Sequence, residues 1–233
     1  MGSELRRRME TGEMKLAHQE GNVVFVHAGL VSTLWKKINA SAGSEALNLL
    51  NDRARSVFVN NSAQELRKLE DAIVQTKKDN GPMWTRICYE TWYHDEQRKK
   101  ERKRSQRSRC GDVQKSLDFL GAERMVIGHC PQKSDLPGDM KYRSPGVTDD
   151  CGGRFLLADT YMSIAYARTE DNAVFNMAAL EFHLGAPDKV WAVYPGRKEG
   201  ARCHAMTRPG PENAGDGNVS KLVLADEERP GKL

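Results

Sequence analysis

Two histidines stand out because each closes a short apolar run. "VVFVHAGL" (Val23–Leu30) runs straight into His27 and then a small Ala-Gly pair, and "MVIGHCPQ" (Met125–Gln132) places Gly128 and then His129 after a similar run. Imidazole is the commonest metal ligand among side chains. In α/β sheets, bound groups collect beyond the carboxyl ends of the strands. A lone strand-end histidine is more often a ring that hydrogen-bonds locally. Two in matching positions point instead to a shared metal site.

Other chemistries find little support. Cys130 follows His129, but the phosphate loop of cysteine-dependent phosphatases needs an arginine six residues after the cysteine, and position 136 is Leu136. No G-x-x-x-x-G-K-[ST], G-x-G-x-x-G or G-x-S-x-G occurs, so nucleotide binding and serine hydrolysis have no local motif. His18, His94, His183 and His204 lie in polar or mixed contexts and receive no role.

The elements that must carry the two histidines are legible. Val23–Val26 and Arg124–Ile127 are predicted strands, and Phe155–Ala158 is a third, after a turn in "DDCGG" (Asp149–Gly153). The spacing predicts a helix over Leu34–Leu50, weakened by Gly43, and another over Ser62–Thr76, where Ser62 and Glu65 make a capping box. "DNGP" (Asp79–Pro82) is a turn. Cys110–Leu120 reads as a helix, with Val113, Leu117 and Leu120 on one face and Gly121 at its stop. Residues 1–20 are polar and helical or frayed. From Pro195 the chain becomes rich in Gly, Pro and charge and reads as a polar tail to residue 233, with a short last strand at Val219–Ala225. Helices alternating with apolar strands place the chain in the α/β class.

Its 233 residues suffice for one sizeable core. The net charge of +4 belongs to one segment: Arg98–Arg109, "RKKERKRSQRSR", holds eight basic residues and one acid, and the rest has 28 basic against 31 acidic. A solvated surface insert over about 94–109 is the plain reading of that run, and a nucleic-acid patch is the sharper one. No apolar run is long enough for a membrane span, and no signal peptide is visible. The five cysteines are scattered without C-x-x-C spacing, which favours a reducing compartment and a cytoplasmic location.

Taken in order, "VFVHAGL", "GPMWTR" (Gly81–Arg86), "ERMVIGHCPQ" (Glu123–Gln132) and "CGGRFLLADTYMS" (Cys151–Ser163) resemble the calcineurin-like metallophosphoesterases. The nearest branch is the Shewanella-like group of serine/threonine protein phosphatases. The resemblance implies a β-sandwich flanked by helices over 21–194. It also implies a pair of divalent ions (Mn, Fe or Zn) that activates water on a phosphoprotein substrate. The metal-ligand histidine of the family's H-[GA]-G motif falls on His27, and that of its G-H-[TS]-P-Q motif on His129. The phosphate-holding arginine of W-x-R-G falls on Arg86, whose planar guanidinium suits bidentate contact with phosphate.

The sequence also departs from the family pattern. The family's G-D-x-H-G, G-D-x-x-D-R-G and G-N-H-E precede the H-[GA]-G histidine and supply the bridging aspartate and the leaving-group acid. Here 26 residues precede His27 and the first aspartate is Asp52. Ile87 replaces the glycine of W-x-R-G, Cys130 a hydroxyl residue, and Tyr161 the glycine of D-x-G-M-S. The resemblance is thus to the C-terminal portion of such a domain, incomplete at its N-terminus and expected to be inactive by itself. It carries the further expectation of an open sheet edge that a partner chain would cover. Three functions follow in order: a metal-dependent protein phosphatase, a catalytically inactive phosphatase-like binding protein, and a basic nucleic-acid-binding protein.

Overall fold

The apolar, β-branched run VVFV forms a strand and draws the polar segment before it into a hairpin. In the computed structural model, which describes residues 3–60, 81–85, 87–88, 99–129, 146–160, 178–183, 186–197, 200–206 and 209, β1 is Ala17–Glu20 and β2 is Val23–Val26. They pair antiparallel across a two-residue Gly21-Asn22 loop. β1 has no strand signal of its own, because "AHQE" has neither alternation nor β-branched residues. It is held by β2 and by the side chain of Asn51. That amide accepts from the N–H groups of Leu16 (2.9 Å) and Ala17 (3.2 Å) and donates to the Ala17 carbonyl (2.8 Å). β1 is four residues long and polar, features that blunt an edge against strand addition.

The chain divides into two units, Met1–Cys130 and Pro131–Leu233. In the first, β3 (Arg124–Ile127) lies parallel to β2 in full register, Val23 opposite Arg124 and Val26 opposite Ile127. The Asn22 carbonyl accepts from the N–H groups of Glu123 and Arg124 and sets that register at its start. All four residues of β3 are buried, as a strand covered on both faces requires.

Among the described residues, helices α1 (Ser3–Glu10), α2 (Ser32–Lys37), α3 (Glu45–Asn60) and α4 (Lys99–Leu120) belong to this unit. The helix expected over Leu34–Leu50 is two helices. Asn39 (φ 49°) and Gly43 (φ 102°) both take left-handed backbone angles, and the Gly43 N–H donates to the Phe119 carbonyl of α4 at 2.8 Å. Tertiary contact settles the break: Trp35 stacks on Phe119 at 5.2 Å, and Asp112 of α4 accepts from both the N–H and the hydroxyl of Ser32. α3 buries Ala46, Leu47, Leu50 and Ala54, a stripe at helical spacing. α4 buries Val113, Leu117 and Leu120 as their spacing predicts. Fully burying side chains of the size of Leu34, Leu50 or Leu117 stabilises by roughly 1.5–3 kcal/mol each. α4 also begins eleven residues earlier than Cys110, so the basic run from Lys99 onward is part of one continuous helix.

In the second unit, β4 (Thr148–Asp150) and β5 (Phe155–Leu157) form an antiparallel hairpin. β6 (Ala179–His183), β7 (Ala186–Arg197) and β8 (Gly200–Ala205) form an antiparallel sheet in that order. This sheet was not foreseen. β7 runs through Pro195 and β8 follows, where composition read as the start of a tail; a bulge between Tyr194 and Arg197 absorbs the proline and glycine. The buried Tyr194 hydroxyl accepts from the Val147 N–H at 2.8 Å. The expected helix over 62–76 and strand over 219–225 lie outside the described residues. The protein is mixed α/β, and among the described residues no helix is long and apolar enough to cross a membrane.

Cys88, Cys110 and Cys151 take part in disulfide bonding. Their scattered spacing gave no hint of it, because sulfur approach is set by the fold and not by sequence separation. Disulfide sulfur is not a thiolate, the form of cysteine that ligates metals.

Candidate metal centre

Parallel pairing is what creates the site. β2 and β3 run in the same direction and end level, at Val26 and Ile127, so the residues after them leave the sheet side by side. His27 is the first residue past β2 and His129 the second past β3. Between them, the Gly128 N–H donates to the His27 carbonyl at 2.9 Å, which ties the two strand ends together. The result is a ring pair: His129 Nδ1 lies 3.0 Å from His27 Nε2, with centroids 4.8 Å apart and planes at 67°. His27 is exposed and His129 half-buried, so the pair is open to solvent.

The segment that carries "GPMWTR" packs against these strand ends. A tight turn returns the N–H groups of Trp84 (3.0 Å) and Thr85 (2.8 Å) to the Gly81 carbonyl, and the Pro82 carbonyl accepts from Ala28 N–H at 2.9 Å. Gly29 makes the approach possible. Its φ is +131°, and a Cβ there would fall 2.9 Å from Ile87 Cγ2 and 3.1 Å from Thr85 Cγ2. Trp84, 39% exposed, sets its indole 5.4 Å from the His129 ring at 55°. Three stretches far apart in sequence, "VFVHAGL", "GPMWT" and "ERMVIGH", therefore meet at one point.

The ring geometry allows two chemistries. Two imidazole nitrogens 3.0 Å apart can share one proton, with one donating and the other accepting. They can equally turn both lone pairs toward one cation. At zinc–nitrogen distances of about 2.0–2.1 Å, two ligands of one ion stand ~2.9 Å apart at a right angle and ~3.4 Å apart at a tetrahedral angle. The observed separation falls inside that interval, so the pair fits two adjacent coordination positions. Among the described residues, no third histidine, cysteine or carboxylate joins the pair in a ligand group.

The structure thus brings the rings of His27 and His129 together. Arg86 lies outside the described residues, although its neighbours Thr85 and Ile87 sit against Gly29. His18 and His183, which were given no role, stand beside Glu20 (3.4 Å) and Glu181 (3.3 Å) on their own strands. Trp84 is the site neighbour that sequence reasoning left without a role of its own. Its signal was an indole two residues before Arg86 in a Gly-Pro turn. Comparison of the chain with protein-family models, with curated proteins and with solved structures finds no match.

Proposed function

We propose that this chain belongs to a metal-dependent phosphoester hydrolase of the calcineurin-like phosphoprotein phosphatase type, with His27 and His129 as two ligands of one divalent ion. The observation that supports this reading is the 3.0 Å approach of the two ring nitrogens at the ends of parallel strands. In that reading the domain is a β-sandwich flanked by helices, Arg86 holds the phosphate, and the substrates are phosphoserine, phosphothreonine or phosphotyrosine esters. The ion pair, Mn, Fe or Zn, would polarise the phosphate and lower the pKa of bound water. The chain's own residues orient it. The Gly128–His27 hydrogen bond fixes the relation of the two rings, and the turn 81–85, pinned through Pro82, fixes the wall beside them.

A second reading has its own observation. Among the described residues no carboxylate joins the two histidines in a ligand group, and a centre of two histidines alone would suit a phosphatase-like binding protein that does not turn over. Calorimetric titration with Zn²⁺ and Mn²⁺, alongside an aryl-phosphate hydrolysis assay, separates the two. Metal binding lost in His27→Ala and in His129→Ala, with hydrolysis lost in parallel, supports the enzyme. Metal binding without hydrolysis supports the inactive binder. Unchanged metal affinity in both variants sinks the site itself.

A further inference from the structure

The first three turns of α4 carry charge that the proposed metal centre does not use. Lys99–Arg109, "KKERKRSQRSR", contains seven basic residues, one acid and no apolar residue, yet it is continuous with a helical half that buries Val113, Leu117 and Leu120. A helix segment polar all round has no hydrophobic face to dock. Its cations also stand at the helix N-terminus, the end that the macrodipole makes positive. Like charges recur at i,i+4 in Lys99 and Lys103, Lys100 and Arg104, and Lys103 and Arg107, and such pairs oppose helix formation.

Helical geometry gathers these positions. At about 100° per residue, 99, 100, 103, 104 and 107 fall within an arc of roughly 140°, whose centre lies about 115° from that of the buried positions 109, 113, 117 and 120, with 99 at its edge in line with 117. Five cations then lie along ~12 Å of helix, one per ~2.4 Å, which is about two-thirds of the linear density of duplex phosphates at one per ~1.7 Å of axis. The absence of an apolar face excludes the amphipathic insertion that membrane-surface helices use. The absence of aromatic residues removes the stacking platform that single strands require.

We infer that the N-terminal half of α4 is a sequence-independent binding surface for the phosphate backbone of duplex nucleic acid, formed by Lys99, Lys100, Lys103, Arg104 and Arg107. Binding neutralises the repulsion within the helix, so helicity rises when the duplex is added.

The test uses the full chain and two unrelated 20-base-pair DNA duplexes, with anisotropy followed from 50 to 200 mM salt. Five phosphate contacts give a slope of log K on log salt of about −4.5, a loss of roughly 500-fold over that range. Replacing all five residues by Gln, which keeps helix propensity, should flatten the slope toward zero and weaken binding at 50 mM salt at least 100-fold. The triple variant Lys99→Gln, Lys103→Gln, Arg107→Gln should reduce the slope by about 2.7, and it serves if the fivefold variant does not fold. The pair His27→Ala and His129→Ala should bind duplex normally, so failure of the metal site and failure of this surface are distinguishable. Equal slopes for native and variant proteins, no duplex binding at 50 mM salt, or capture of polyglutamate in place of duplex would each overturn the assignment.

Discussion

Gly29 offers the sharpest test of how the strand ends are built. Alanine at this position meets two separate penalties. The φ of +131° lies in a region that L-residues avoid, at a cost of about 1–3 kcal/mol. The new methyl would also stand 2.9 Å from Ile87 Cγ2 and 3.1 Å from Thr85 Cγ2. Both neighbours are β-branched and stiff at χ1, and Thr85 is 1% exposed, so neither yields without moving the turn at 81–85. Overpacking of that kind adds roughly 1–3 kcal/mol. Gly43 is the internal control, since its φ is +102° but nothing stands within 4 Å of its Cβ position. Gly43→Ala should therefore show the backbone penalty alone, and Gly29→Ala should exceed it by about 1–3 kcal/mol. Urea unfolding of the three proteins, compared at constant m-value, gives the difference directly. Equal losses for the two variants, or a smaller one for Gly29→Ala, would refute the claim that segment 81–88 is pressed against the strand end. If that claim holds, Gly29→Ala should also weaken metal binding, because the turn carries Trp84 beside His129.

Other expectations follow from single contacts. Asn51→Ala removes three hydrogen bonds to Leu16 and Ala17, leaving partly buried backbone groups of β1 to find water, and should cost ~1–3 kcal/mol; hydrogen exchange should rise at those amides before the rest of the sheet. Tyr194→Phe leaves the Val147 N–H without its buried acceptor and should cost a similar ~1–3 kcal/mol in urea unfolding. Burial pushes the Tyr194 phenol up, against the weaker opposing pull of the Val147 N–H. A group whose pKa is raised by folding contributes stability that is complete below its unfolded value, near ~10 for tyrosine, and lost as the pH climbs through the folded value. Alkaline destabilisation above about pH 10 should therefore shrink in Tyr194→Phe, and an unchanged pH profile would show that another group carries it.

How much of this could be read from the sequence differs from element to element. "VVFV" and "RMVI" announce strands because they are short, apolar and rich in branched residues. His27 and His129 were legible as candidates because each follows such a run. The helix at Cys110–Leu120 was legible from Val113, Leu117 and Leu120, whose spacing puts them on one buried face. Local signals of this kind depend only on neighbours along the chain.

The tertiary structure decided the rest. That β2 and β3 pair in parallel and end level is a fact of register, and it alone converts two isolated histidines 102 positions apart into rings 3.0 Å from each other. β1 exists because Asn51, more than thirty residues away, satisfies its backbone. The expected helix over 34–50 broke because the Phe119 carbonyl receives the Gly43 N–H. β7 and β8 formed from a Gly- and Pro-rich stretch because cross-strand hydrogen bonds outweigh the weak intrinsic preference of those residues. Sequence by itself named the candidate histidines and the strands that bear them. Which of them meet was decided by long-range pairing, whose energy comes from contacts that no window of sequence contains.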